Sequence, residues 1–174
     1  MDDVRARAHQ SLDAWLDELA PLFDQPRAPS LRALSEHFTE TRGHLLGGCL
    51  KALTEELYAD FRDQRQIHCP HCDKTLNRKR LDRKRIATLQ GELVLERPYF
   101  YCTDCHRGFH PLDHALELAR GVHQYDIQEK LLRHSAEVPF ELAAELVGEL
   151  IGLPLSNHFA HETTLDVTTI ADID

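Results

Sequence analysis

The stretch Cys69-Pro70-His71-Cys72 and the stretch Cys102-Thr103-Asp104-Cys105 are two CxxC motifs, and 29 residues separate them. The two-residue spacing lets both thiolates of one motif reach a single ion, so the two motifs supply the four soft ligands of a closed tetrahedral zinc site. A redox CxxC motif is the main rival, but it requires a βαβ setting that this sequence does not offer. The sequence therefore predicts one structural Zn²⁺ per chain, with four ligands: Cys69, Cys72, Cys102 and Cys105.

Four histidines accompany these cysteines, and any of them could replace a thiolate as a zinc ligand: His68, His71, His106 and His110. Because four cysteines already suffice, we interpret the histidines as exposed residues or as hydrogen-bonding groups around the site. Four thiolates also close the coordination sphere, which argues against a catalytic zinc.

The segment between the two motifs predicts a β-hairpin. Residues 81–89 and 92–101 are compatible with strands, and Gln90-Gly91 lies between them as the turn. Pro98 would remove one ladder hydrogen bond, so the second strand should lie at an edge or end early. Alternate residues of this strand should share one face: Leu93, Leu95, Tyr99 and Tyr101.

Helical periodicity precedes the hairpin. Apolar residues spaced three and four apart predict one helix over 3–22 and a second helix that Ser30 caps. Gly43, Gly47 and Gly48 interrupt the second helix, and a break or kink near residue 43 is the expected result. A close helix–helix contact at these glycines is the alternative.

The helical period returns after Pro111, and it predicts helices over 112–119, 125–137, 139–151 and 156–168. The last two helices and the short glycine-containing turn between them have the lengths typical of a helix-turn-helix, although any helical hairpin looks similar. The final helix offers polar side chains to a DNA groove at 157, 158, 161, 162 and 164, but it carries no Lys or Arg, so packing or dimerisation is an alternative role. The candidate DNA contacts among them are Asn157, His158 and His161.

The fold class that follows is mainly α with a small β zinc-ribbon hairpin. Its predicted regions are an N-terminal helical segment (1–65), the zinc ribbon (66–110) and a helical, helix-turn-helix-like region (111–170). A length of 174 residues suits about one domain of this kind. No apolar run approaches the roughly 20 residues that span a bilayer, and the polar start lacks a signal peptide. We therefore expect a cytoplasmic protein with no membrane partner and no small-molecule substrate.

Charge is strongly segregated along the chain. The net charge is -9, yet residues 62–85 hold nine Lys and Arg against three Asp, which gives +6, while residues 111–174 carry -9. A basic block of this kind can be a solvated face, but a rigid ribbon would present it to DNA phosphates. The expected phosphate contacts are Arg78, Lys79, Arg80, Arg83, Lys84 and Arg85.

Three runs carry a resemblance to a known family: TLQGELVLERPYFYCTDC at 88–105, GFHPLD at 108–113 and VPFELAAEL at 138–146. They are similar to the N-terminal half of bacterial insertion-sequence transposases of the Kra type. The resemblance implies a zinc ribbon and a helix-turn-helix that recognise transposon ends. It also implies double-stranded DNA of the terminal repeats as the partner, and a homodimer is possible.

The family's catalytic domain should follow these elements, but this sequence departs from that pattern. A two-metal strand-transfer site needs carboxylates that converge on a β-sheet, whereas helices alone follow Cys105. We interpret Asp166, Asp172 and Asp174 as surface charge. The chain is therefore expected to be the DNA-binding portion of a transposase and no enzyme by itself. The alternative is a protein–protein interaction module, in which the ribbon is a scaffold and the acidic helices dock another chain.

Overall fold

A computed structural model describes residues 2–24 and 26–171 of the chain, and it shows a mainly helical fold with small antiparallel sheets. This confirms the predicted fold class. In chain order the elements are α1 (Asp2–Leu19), a 3-10 turn (Ala20–Leu22), α2 (Leu31–Leu57), α3 (Ala59–Asp63), β1 (Gln66–His68), β2 (Thr75–Asn77), β3 (Arg80–Thr88), β4 (Gly91–Cys102), β5 (Arg107–Phe109), α4 (Pro111–Ala115), α5 (Tyr125–Ser135), α6 (Phe140–Ile151) and α7 (Asn157–Ala171). The predictions for Asp172, Asp174 and the side chain of Asp166 concern positions outside the described residues.

The strands form two antiparallel sheets, one with the order β1-β2 and the other with the order β3-β4-β5. The long hairpin β3–β4 keeps one register from the pair Arg80↔Tyr99 to the pair Thr88↔Gly91. The turn is therefore Leu89-Gln90, one residue earlier than predicted. Gly91 begins β4 with a φ of 119°, a conformation that suits glycine because it lacks a Cβ.

Strand β4 changes its buried face halfway along its length. Leu93 and Leu95 are buried near its start, as predicted, but Phe100 and Cys102 are buried near its end. The predicted shared face of Leu93, Leu95, Tyr99 and Tyr101 is therefore present, but it is buried only in its first half, and the two tyrosines are half-buried. The first half packs on the helices, whereas the second half packs on the cysteine cluster, and these lie on opposite sides of the strand.

Pro98 does not end β4, because the strand continues to Cys102. Its place in the sheet explains why a residue without an N–H group is accepted there. Pro98 is opposite Leu81 of β3, and β5 covers the other side of β4 only from Phe100 onward. At Pro98, β5 does not pair with that second side of β4, so the missing N–H group interrupts no hydrogen bond with β5.

Helix α2 runs without a break through its three glycines, so the predicted break near residue 43 is wrong. A Cβ on Gly47 would overlap the backbone of Glu92, and one on Gly48 would overlap the side chain of Ser11 in α1. Gly43 lies directly against Gly91 at the start of β4. The glycines therefore permit close approach of α1 and the hairpin to α2, which outweighs their weak helix propensity.

The hairpin tip is anchored between the helical regions. On one side Ile86, Leu93 and Leu95 pack with Leu50 of α2. On the other side Ala87 joins the core that α5, α6 and α7 share, and its backbone N–H donates to the Val122 carbonyl over 2.9 Å. Helices that precede the ribbon and helices that follow it therefore both hold the hairpin tip in place. Within the described part of the chain, no helix is long and apolar enough to cross a membrane.

The C-terminal helices follow the predicted capping signals. Gly152 ends α6 in the left-handed conformation with a φ of 69°. The Ser156 hydroxyl accepts a hydrogen bond from the Phe159 backbone N–H over 3.1 Å at the start of α7. Helix α4 is shorter than predicted, because it ends at Ala115 rather than at residue 119. The α6–turn–α7 geometry of two helices around a short glycine-containing turn is present.

Candidate metal centre

The four predicted cysteine ligands come together in one cluster. The sulfur atoms of Cys69, Cys72, Cys102 and Cys105 all lie within 4.8 Å of one another. The Cys72 and Cys102 sulfurs are 3.5 Å apart, and the Cys69 and Cys105 sulfurs are 4.0 Å apart. A tetrahedron with zinc–sulfur bonds of about 2.3 Å has sulfur–sulfur edges of about 3.8 Å. The spacing and the soft donors fit one structural Zn²⁺ site.

The two CxxC motifs form turns of the same local geometry. In the first, the Asp73 N–H donates to the Cys69 carbonyl over 2.9 Å, and this turn links β1 to β2. Asp73 has a φ of 58°, and His106, which follows the second motif in the same way, has a φ of 53°. Left-handed backbone directly after the second cysteine turns the chain back and leaves both thiolates on one side. Each motif therefore contributes its pair of sulfurs through an equivalent backbone path.

A small apolar core supports the cluster from below. Cys69 and Cys102 are buried, and they pack with Leu76 of β2 and Phe100 of β4. The Phe100 ring stacks on Phe109 of β5, with 6.1 Å between the ring centroids. The remaining two ligands are more accessible, since Cys72 is exposed and Cys105 is half-buried. This core and a metal bound by the four sulfurs would together hold all three short strands.

The backbone around the first motif favours a thiolate. The amide of His71, followed by that of Cys72, hydrogen-bonds to the Cys69 sulfur and lowers the pKa of this thiol to about 7. The hydrogen bond with the Cys72 sulfur raises the pKa of Cys105 to about 12 in the absence of metal. Zinc binding must therefore displace protons, so the affinity of the site falls as the pH falls.

A salt bridge joins the two motifs outside the ligand set. The Lys74 ammonium lies 2.7 Å from the Asp104 carboxylate, with the Thr103 hydroxyl 3.5 Å away. This contact raises the pKa of Lys74 and lowers the pKa of Asp104, because each charged form hydrogen-bonds to the other. The cation also lies near the cysteine cluster, where it offsets the negative charge that four thiolates bring.

The histidines near the motifs take other roles. His68 is hydrogen-bonded to the Asp73 carbonyl over 3.0 Å, and His110 is bonded to the Asp82 carboxylate over 3.1 Å. His71 contacts the guanidinium of Arg107 over 3.2 Å. Among the described residues the metal-binding cluster consists of cysteines alone. The interpretation that the histidines surround the site without binding the metal therefore fits the structure.

The structure divides the predicted basic block between two faces of the hairpin. Because side chains alternate along a strand, Arg80 and Lys84 lie on one face and Arg83 and Arg85 on the other. Arg83 pairs with Glu96 of β4 over 3.1 Å, and Arg85 pairs with Glu92 at 2.5 Å. Arg80 pairs with Asp82 over 2.7 Å and lies over the Tyr99 ring.

The remaining side chains of the basic block differ in whether a contact within the protein already engages them. The Lys84 ammonium donates to the Ala119 carbonyl over 2.6 Å, and partial burial lowers its pKa, so this lysine holds the segment that follows α4. Within the described residues, the side chains of Arg78 and Lys79 have no ion-pair partner. These two cations therefore remain available to an external anion.

A groove along β3 contains two cations that the sequence interpretation missed, Arg97 and Arg120. It measures about 1040 Å³ and runs between the strand and the segment after α4. Arg97 pairs with Asp113 of α4, and Arg120 has no ion pair among the residues that the structure describes. Arg97 could have been found from the sequence only with the correct register of the hairpin, which places it opposite Asp82 in the basic strand β3. The cationic lining consists of Arg83, Lys84, Arg85, Arg97 and Arg120.

The three candidate residues of α7 are exposed on its first turns. His158 lies 3.3 Å from Glu162, which is one turn further along the helix. The His161 ring packs edge-on against Phe140 at the start of α6, with 5.3 Å between centroids. Asn157 lines a cleft between α2 and α6. They therefore lie apart from the cationic groove residues, on a helix of their own.

No protein-family model, curated protein or solved structure matches this chain. Its class therefore rests on the fold and the site alone. The chain is a mainly helical protein with a four-cysteine metal centre on β-hairpins, the arrangement of a zinc ribbon.

Proposed function

We propose that the chain is a double-stranded-DNA-binding module of an insertion-sequence transposase. In this proposal the zinc ribbon presents cations to the DNA phosphates, and α7 reads bases at the transposon ends. The chain has no strand-transfer activity of its own and depends on a catalytic domain for it. The observation that carries the proposal is the concentration of cations on the ribbon of a protein whose net charge is -9.

The ion pairs on the ribbon are compatible with phosphate binding. The Arg83 side chain is 77% exposed and the Arg85 side chain is 63% exposed, so each pair with a glutamate is screened by water. Exposed pairs of this kind are worth about 0 to 1 kcal/mol. Replacing the glutamate partner of Arg83 or Arg85 by a DNA phosphate therefore costs little free energy. Arg78 and Lys79 have no ion pair among the described residues that DNA would have to replace.

The architecture gives these cations a fixed position. The zinc cluster holds one end of the hairpin, and the helical cores hold its tip. Cations on a rigid element lose less conformational entropy on binding than cations on a loop. The acidic C-terminal helices repel phosphate, so the phosphate contacts of this proposal are confined to the ribbon.

The test is a salt titration of binding to a random-sequence duplex. Each lost phosphate contact lowers the slope of log K against log salt by about 0.9. We expect the variant R78Q/K79Q/R83Q/R85Q to lose slope in this way. The matched control, R5Q/R27Q/R32Q/R133Q, removes the same charge from exposed sites outside the ribbon and should keep the slope.

Two results would contradict the proposal. One is a parental slope and affinity in the ribbon variant, since the block would then be a solvated face and the protein-interaction alternative would be favoured. The other is an equal loss in the control, which would mean that overall charge governs binding. If α7 reads bases, H158A and H161A should change the preferred sequence in a selection from random duplexes without changing the slope.

A further inference from the structure

Helix α6 repeats a Glu-Leu pair every four residues: Glu141-Leu142, Glu145-Leu146 and Glu149-Leu150. Because residues four apart lie on the same face of a helix, the repeat produces two adjacent stripes, one acidic and one apolar. The opposite face of α6 is the one that packs in the protein core, through Ala143, Ala144, Val147, Gly148 and Ile151. Both stripes therefore lie on the outside of the fold.

The leucine stripe has no cover in the described structure. Leu142, Leu146 and Leu150 are 41%, 40% and 48% exposed, although the opposite face of the same helix is buried in the core. Single exposed leucines are ordinary, but a contiguous row on a well-packed helix is typical of an interaction surface. The row therefore identifies α6 as a helix with one face in the core and one face available to a partner.

The glutamate stripe also lacks partners. Among the residues that the structure describes, none of Glu141, Glu145 and Glu149 forms an ion pair. They line a cleft of about 1340 Å³ between α6 and α2, and Glu36 and Glu40 of α2 line its other wall.

The two arginines near this cleft are already engaged. Arg32 pairs with Glu36 over 2.8 Å, and Arg42 donates to the Leu150 carbonyl over 2.6 Å. Five glutamates and one arginine line the cleft, which therefore carries net negative charge beside an apolar row.

We propose that the outer face of α6 docks an amphipathic helix of another protein, one whose apolar stripe is bordered by lysine or arginine. Leucines of the two helices would pack in the helix-in-groove manner, and the border cations would pair with the glutamate stripe. Charge complementarity selects this occupant, because a row of exposed glutamates attracts the cationic border of such a helix. A second copy of the chain fits less well, since antiparallel pairing of α6 with itself would bring two glutamate stripes together.

The proposal is independent of DNA binding, because it uses none of the ribbon cations. The probes are two synthetic helical peptides with one leucine stripe, bordered by lysines in the first and by glutamates in the second. Binding to the full-length, zinc-loaded protein is measured by fluorescence anisotropy. We expect the parent to bind the lysine peptide at least about tenfold more tightly than the glutamate peptide.

Charge reversal and leucine replacement provide separate arms of the test. The variant E145K/E149K should reverse the peptide preference, and L142S/L146S should weaken both complexes about tenfold or more. The matched control is D13K/D17K, which reverses two exposed carboxylates spaced four apart on α1, beside the exposed Leu12 and Leu16. The control should keep the parental preference. Circular dichroism and zinc content verify that each variant is folded.

Four outcomes would overturn the proposal. They are absence of binding to the lysine peptide, an equal effect of the α1 control, and parental affinity in the leucine variant. The fourth is a parent that sediments as a dimer and becomes monomeric in L146D, because a second copy would then occupy the face.

Discussion

Removal of zinc should unfold the cysteine end of the ribbon and leave the hairpin tip folded. At the cysteine end, the apolar core besides the ligands is centred on Leu76 and Phe100. At the tip, Ile86, Leu93 and Leu95 pack on helices that need no metal. The two ends of one hairpin therefore depend on different sources of stability.

The magnitudes favour this separation. Full burial of Leu76 and Phe100 is worth about 3 to 6 kcal/mol in total, whereas structural zinc contributes about 10 to 16 kcal/mol of apparent binding free energy near neutral pH. Each residue that becomes ordered costs about 1 to 2 kcal/mol of backbone entropy. Two buried apolar side chains, even with the half-buried Ile67 and Phe109 beside them, cannot order three short strands and two turns, so the metal must supply the larger share.

Hydrogen exchange with and without a chelator measures the effect. We expect the amides of β1, β2 and β5 to lose protection after chelation, while those of Ile86 and Leu93 keep theirs. C102S should behave like the chelated parent, and C49S, which changes a cysteine outside the cluster, should behave like the untreated parent. Full protection of β5 without metal would refute the reasoning, and so would loss of protection over the whole chain.

Three further predictions concern stability and can be checked by thermal or chemical denaturation. G47A should destabilise the protein by about 2 to 3 kcal/mol, because its Cβ would overlap the backbone of Glu92, whereas G121A has open space and should be neutral or slightly stabilising. H106G should stabilise by about 0.5 kcal/mol, since glycine accepts a φ of 53° without the steric cost of a side chain. Burial lowers the pKa of His123, so the unfolded chain binds its proton more readily and stability is lost as the pH falls below the ordinary histidine pKa. H123Q should lose less stability than the parent over that range, and an identical pH profile would contradict the assignment.

The metal ligands were predictable because the chemistry lies in the spacing. Two thiolates separated by two residues can share an ion in almost any turn, so Cys69, Cys72, Cys102 and Cys105 needed no knowledge of packing. The caps at Gly152 and Ser156 were predictable for the same reason, since each acts within its own helix end.

Features that depend on distant parts of the chain were not predictable in this way. The glycines of α2 indicate a break when only propensity is considered, but Gly47 meets Glu92, which lies far along the sequence. The pairing of Arg83 with Glu96 depends on the register of the hairpin, and the turn lies one residue from its predicted place. Periodicity alone could not show which cations were already neutralised.

The change of buried face within β4 restricts how the gene can vary in length. One extra residue between Leu95 and Pro98 would turn Phe100 and Cys102 to the opposite side of the strand. The small core and one zinc ligand would be lost together, although no residue had been substituted. Two extra residues would preserve the alternation. Insertions and deletions that persist in this strand should therefore come in pairs.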